Sequence, residues 1–298
     1  MNIKSKFYRK MDILQLTTGT TPISQSVDYS CVLTNTWSGA RHPIGYDAVS
    51  GSAHWSPPVL MAHSKFANLW STGDMASPGI ESVAEMGLTG TLQNEVQVLQ
   101  TKGLAGDMTV GVNQFNAVDP PQTLEPVTLS PSFPYLSSIS MIAPSPDWFS
   151  GFDSFSPRGP GGYWLQSFEL ATYPFDAGTE MGEEYSINNE PESSQGPIYP
   201  LTRDTVPNSG ILLDPTGAEV LPVATWKCTQ IPGTEEFEST DDSTMMKETG
   251  FESTDDSTIM KEAGMMKETG MLKEEDPNGG FRDRSRLSGV RGGSGGGN

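Results

Sequence analysis

Apolar residues fall in short bursts between turn-forming residues along this chain, and the bursts set the predicted elements. Residues 1–27 are polar, Thr/Ser-rich and aperiodic, the pattern of a disordered leader. From Tyr29 a β-branched and aromatic run reaches Trp37 and stops at Ser38-Gly39, which predicts a strand. The Pro/Gly/His-rich stretch that follows, through Leu60, predicts a loop. Ser77-Pro78 is a helix start: serine at the N-cap, and proline at the first helical position, where its missing N–H removes no bond. Ile80, Val83 and Ala84 then share one face, and Gly87 stops the helix. A second short helix is predicted from Thr91, with Leu92, Val96 and Leu99 on one stripe and Gly103 as its break. Beyond it, strands are predicted at Met108–Val112, Pro126–Leu129, Leu136–Ile142, Tyr163–Thr172, Gly210–Leu213 and Glu219–Trp226. Short strands at such intervals predict an all-β fold, an antiparallel β-sandwich with one or two short helices.

After Cys228 the pattern changes. Phe237–Gly250 reads FESTDDSTMMKETG and Phe251–Gly264 reads FESTDDSTIMKEAG, a 14-residue tandem repeat differing at two positions. Two shorter echoes, MMKETG and MLKEED, follow. Two full copies are too few for a solenoid, which needs at least about three units. The pattern therefore divides the chain into a leader (1–27), a folded domain (28–230) and an acidic, repeat-containing tail (231–298) expected to be disordered. The paired aspartates Asp241-Asp242 and Asp255-Asp256 read as a solvated acidic linker.

Composition narrows this further. With 32 Gly and 23 Pro among 298 residues, a helical bundle or coiled coil is excluded. The formal net charge is −19, and residues 28–230 carry 21 acidic against six basic side chains, −15 of it. Such a domain repels phosphate backbones and heparin-type polyanions, so no nucleic-acid partner is expected. No run of 18 apolar residues exists, so membrane insertion is not expected either. Lys4, Lys6, Arg9 and Lys10 resemble the basic start of a signal peptide, yet Met11–Leu16 is too short and polar for its apolar core. No secretory signal is legible in the chain.

The two cysteines, Cys31 and Cys228, each lie in a strand-like stretch. They form one disulfide if the first and last strands are neighbours, or stand as two buried thiols if not. His42, His54 and His63 fall close together, but their spacing matches no compact zinc pattern and no cysteine accompanies them. Structural hydrogen bonding is their predicted role. Trp37, Trp55, Trp70, Trp148 and Trp164 are expected as core or loop anchors.

One segment is specific. Ser140–Gly151 reads SMIAPSPDWFSG and resembles the APSPDWF(V)G core of the spondin domain, the F-spondin/mindin family. Further matches follow the family order: Trp37-Ser38 with His42-Pro43, Ala53-His54-Trp55-Ser56-Pro57, His63-Ser64 with Leu69-Trp70, and Ala76–Ile80 with Val83–Gly87. Phe175–Glu180 is similar to the family's WDAGTDSG, and Pro200-Leu201-Thr202 to its PLT. The resemblance covers about residues 28–228. It implies an extracellular, secreted β-sandwich of about eight strands with C2-like topology that binds Ca2+. Carried over residue by residue, the metal ligands fall on Asp147, Asp176 and Glu180; the family usually has aspartate at the last position. Calcium takes six to eight oxygens from loop carboxylates, carbonyls and water. Asp147 is placed in a turn forced by Pro144 and Pro146, and Asp176 and Glu180 in a loop bent by Pro174 and Gly178. Without the resemblance, these acids read as solvated turn formers. Asp153 and Glu183 lie nearby in sequence.

No HExxH or Walker pattern appears. The reading that results is a non-catalytic adhesion or recognition module for a cell-surface or matrix ligand, glycan or protein. A metal-assisted hydrolase and a C2-like calcium-dependent lipid binder are the alternatives. The family's F-spondin and mindin continue into Cys/Trp-rich repeats, whereas an acidic repeat follows Cys228 here.

Overall fold

The structure, a computed structural model, describes residues 11–207 and 209–232. The expectations for residues 1–10 and for the repeat-bearing tail from 233 onward lie outside the described residues. The described strands are β1 (Asp12–Pro22), β2 (Val27–Asn35), β3 (His54–Trp55), β4 (Val59–His63), β5 (Ala105–Val110), β6 (Phe115–Asn116) and β7 (Gln122–Thr123). They continue with β8 (Val127–Leu129), β9 (Tyr135–Ala143), β10 (Trp148–Phe155), β11 (Tyr163–Thr172), β12 (Pro174–Asp176), β13 (Tyr199–Pro200) and β14 (Ala224–Gln230). The described α-helices are α1 (Tyr46–Val49), α2 (Pro78–Met86) and α3 (Gly90–Thr101), with one 3-10 turn at Pro160–Gly162.

Two antiparallel sheets form. The first runs β1-β11-β14-β2-β7, with β8 also on β2; the second runs β13-β12-β10-β9-β3-β6, with β4 on β9 and β5 on β4. Alternation on β2 and β14 turns Tyr29, Cys31, Leu33, Trp226 and Cys228 inward, where they meet Leu60, Leu136, Trp148 and Phe152 of the second sheet in one core. The other face of the second sheet packs Val59, Met61, Ile139, Phe149 and Phe175 against Ile80, Val83, Leu92 and Val96 of α2 and α3. The order is therefore sheet, sheet, helices.

Because the second sheet is covered on both faces, β9 and β10 are buried almost throughout. Their polar members survive burial by hydrogen bonding. Ser138 Oγ accepts from Phe152 N at 3.1 Å, and Ser137 Oγ accepts from Ser154 N at 2.9 Å. Ser140 Oγ donates to Ser56 O at 2.8 Å. The α2 start follows the sequence reading: Ser77 Oγ accepts from Ile80 N at 3.2 Å and donates to Glu95 Oε2 at 2.6 Å, and Gly87 caps the far end.

Three sequence expectations need correction. Residues 12–22, assigned to a disordered leader, form β1 on the edge of the first sheet against β11. That strand is held by its backbone ladder while nearly all its side chains stay in solvent, so it carries no hydrophobic period to read. The loop expected through Leu60 contains α1, β3 and the first residues of β4, a short apolar run that periodicity alone cannot classify. Residues 210–223 are turns with one isolated bridge, Leu213 to Val220, because Asp214 Oδ1 accepts from Ala218 N at 2.7 Å and folds the segment back.

Cys31 and Cys228 sit directly opposite each other on β2 and β14 and are joined by a disulfide.

Candidate functional site

At one end of the second sheet, three segments bring acidic side chains together. Asp147 immediately precedes β10, Asp176 ends β12 beside Trp148 in the ladder, and residues 177–180 turn back over both. Gly178 makes that turn at φ 73°, and a Cβ there would lie 2.5 Å from Gly196 O, so only glycine fits. The placement of Pro174 and Asp176 differs from the loop read from sequence: both belong to β12, which pairs with β10 and β13.

Asp147 is completely buried. Its Oδ2 accepts from Thr179 N at 2.7 Å, Glu180 N at 3.1 Å and Thr179 Oγ1 at 3.2 Å. Its Oδ1 is buried with no hydrogen-bond donor among the described residues. Burial raises the carboxyl's pKa against the pull of those donors. Asp176 Oδ1 accepts from Gly178 N at 2.8 Å. Burial, and then the charge of Asp147, push its pKa up to about 7. The Trp148 indole nitrogen is buried beside Asp176 without a hydrogen bond of acceptable geometry.

Glu180 is 7 % exposed and accepts from Asn189 Nδ2 at 2.9 Å. Burial, then Glu85, Asp147 and Glu190, push its pKa up to about 7. Asp147 is thus the common neighbour of Asp176 and Glu180. The three carboxylates share one neighbourhood but do not converge on a point: among the described residues no group of three His, Cys, Asp or Glu side chains is set to hold a metal ion. Asp176 and Glu180 also line an open cleft of about 590 Å3 with Glu183, Glu192 and Tyr199.

Other candidates separate from this cluster. Asp153 lies elsewhere on β10, accepting from Ser71 Oγ at 2.6 Å and acting on the charge of His63. Glu183 lines the cleft, and its carbonyl accepts from Ser209 Oγ at 2.9 Å. The histidines are hydrogen-bonded in place: His42 Nε2 to Leu221 O at 3.3 Å, His54 Nδ1 to Ser52 O at 2.7 Å, and His63 Nε2 to Ser137 Oγ at 2.8 Å. Burial lowers the pKa of His42 to about 4 and that of His63 in the same direction, so both are neutral at pH 7. Trp37, Trp55, Trp70, Trp148 and Trp164 are all buried. Glu85 in α2 is the acidic neighbour that the residue-by-residue reading omitted, although it stands inside the Val83–Gly87 match. No helix among the described residues is long and apolar enough to cross a membrane.

Fold and site together define a disulfide-tied β-sandwich with a helical layer on one sheet and a buried acidic cluster at one end. Comparison of the chain with known families and proteins gives the same class. The Spondin_N family model matches residues 27–218, and the chain belongs to that family. It is 31 % identical to Spondin-2 of Rattus norvegicus over 179 residues, covering 58 % of this chain and 52 % of that protein. It is 30 % identical to Spondin-1 of Homo sapiens over 204 residues, covering 66 % of this chain and 24 % of that protein. The chain thus spans about half of Spondin-2 and a quarter of Spondin-1. β1 precedes the matched segment.

Proposed function

We propose that this domain is a non-catalytic extracellular recognition module that holds a calcium ion with Asp147, Asp176 and Glu180 and binds a cell-surface or matrix ligand, glycan or protein. The observation that carries the reading is Asp147 Oδ1, a carboxylate oxygen buried without a donor among the described residues and next to two further carboxylates. An unpaired buried charge is costly, and a divalent cation offsets it better than water. The donors suit calcium in kind: three carboxylates, hard oxygens of the sort the ion takes. Glutamate at 180 supplies a longer arm that can be bidentate. When bound, the ion neutralises the cluster and offers a Lewis-acidic point to an acidic ligand group. The residues themselves hold the 177–180 turn on the β10–β12 end. The disulfide supports an oxidising compartment, and the family membership supports a recognition role.

Calcium titration of the full chain by calorimetry tests this, with Asp176→Asn as the control. Wild-type-like binding by that variant removes the proposed site. If the ion is structural, it raises the melting temperature without altering ligand binding by folded protein; if it bridges, ligand binding itself depends on calcium.

A further inference from the structure

The end of β1, the β1–β2 turn and the residues just past β14 wall a cleft of about 690 Å3 at the Gln230 end of the first sheet. The fold fixes both walls. Gln25 N donates to Pro22 O at 3.0 Å, Trp164 Nε1 donates to Gln25 O at 2.9 Å, and Ile231 N donates to Asp28 O at 2.8 Å. The lining is polar and nearly uncharged: Thr20, Thr21 and Thr128 supply hydroxyls, Gln25, Gln166 and Gln230 supply carboxamides, and Asp28 is the one charged side chain among the described residues there. Gln230 is only 7 % exposed. One end of its carboxamide is taken by the Thr21 hydroxyl, and the other end has no partner among the described residues. That other end is not sealed from solvent, so it opens on the cleft. The side chains of Thr20 and Gln166 also bond to no described residue. Asp28 Oδ1 accepts from Thr128 Oγ1 at 2.6 Å, which leaves Oδ2 for a ligand.

We propose that this cleft binds a neutral saccharide. A sugar ring presents adjacent hydroxyls, each both donor and acceptor, and carboxamides and hydroxyls answer both roles. Asp28 adds a charged acceptor, whose hydrogen bond to a sugar hydroxyl is stronger than a neutral one. Val27 and Ile231, also on the lining, offer apolar contact to the C–H groups of the ring. No lysine, arginine or histidine lines the cleft, and residues 28–230 carry −15, so sulfated and carboxylated glycans are repelled. Walls already fixed by hydrogen bonds keep the cost of ordering the site low. The inference rests on the recognition reading above and deepens it by naming a ligand class and a place. It makes no use of the cation site: no residue lines both this cleft and the one beside the acidic cluster. Residues 20–26 and 230–232 lie outside the segment matched by the family model, so both walls are this chain's own.

The test is binding of the full chain, in EDTA, to immobilised neutral oligosaccharides of glucose, galactose, mannose and N-acetylglucosamine, with heparin and an uncharged Ser/Gly peptide alongside. The expected result is retention of a neutral oligosaccharide, competed by the same sugar in solution, and no retention of heparin or peptide. Gln230→Met, which keeps the volume, and Thr20→Val, which removes one exposed hydroxyl, should each weaken that binding about three- to tenfold, the range for one lost neutral hydrogen bond. Thermal unfolding of Gln230→Met separates a lost ligand contact from a loosened turn, and Thr20→Val reads the cleft without touching the core. Unchanged affinity in both variants, or no neutral sugar retained, overturns the saccharide site. Retention of heparin or peptide instead overturns it and leaves a recognition module with another ligand. Sugar binding that appears only with calcium and is lost in Asp176→Asn moves recognition to the acidic cluster, and it too overturns this site while the calcium reading stands.

Discussion

Replacing Asp176 by asparagine keeps an acceptor for Gly178 N–H and removes the charge that Asp147 opposes. In the folded protein without a cation, the Asp176 carboxyl titrates at about 7, against an ordinary value of 3.8. A carboxyl whose folded pKa lies above its unfolded value stabilises the fold fully below the unfolded pKa. That contribution is lost as pH rises through the folded one. The window therefore runs from 3.8 to about 7. At about 1.4 kcal/mol per pH unit, the loss has a ceiling of about 4 kcal/mol. A folded domain of roughly 150–250 residues shifts by about 2–4 °C per kcal/mol, so the wild type should lose up to about 8–16 °C relative to Asp176→Asn across this window. The assay is thermal unfolding in EDTA at intervals from pH 4 to pH 8, for both proteins. With saturating calcium at pH 8 the order should reverse, because ligand binding stabilises only the protein that binds it. Parallel melting curves for the two proteins in EDTA across this range would refute the argument that the cluster is electrostatically strained without its ion.

Three further outcomes follow from the packing. Cys228→Ser opens a loop of 197 residues and should lower unfolding free energy by about 5 kcal/mol in the chain-entropy model, read from urea curves of the variant and the wild type. Phe175→Ala removes a ring 4.7 Å from Trp70 and 5.6 Å from Phe149 and should destabilise by about 3–5 kcal/mol, with near-ultraviolet circular dichroism reporting the lost aromatic packing. Gly151→Ala would place a Cβ 2.0 Å from Ser138 O, a backbone atom of the paired strand, and should cost about 3 kcal/mol or more; wild-type stability there would show that β9 and β10 are not held in this register.

How far the sequence reaches depends on which force holds each element. α2 was legible from Ser77, Pro78 and Gly87 because capping is local chemistry. β2 and β14 were legible because one face is buried and one is solvated, which writes alternation into the chain. β10 was not predicted: covered on both faces, FSGFDSF shows no alternation, and its serines look like loop residues until their partners are known. β1 escaped for the opposite reason, since almost nothing on it is buried. At the site, Asp147, Asp176 and Glu180 came from the motif resemblance. Glu85 came from nothing that spacing could show, because its relation to Glu180 spans 95 positions of chain.

By itself, then, the sequence determined the all-β class, the helices α2 and α3, the family and the −15 balance of residues 28–230, which disfavours polyanion partners. Those are properties of composition, local turns and short motifs, which need no knowledge of distant partners. Tertiary structure alone decided that Cys31 faces Cys228, that the second sheet is covered on both sides, and that β1 closes an edge of the first sheet. It also decided that one oxygen of Asp147 is buried without a donor among its neighbours. Each of these depends on groups far apart in the chain becoming neighbours, and a buried carboxylate differs from a solvated one only once the surrounding water has been excluded.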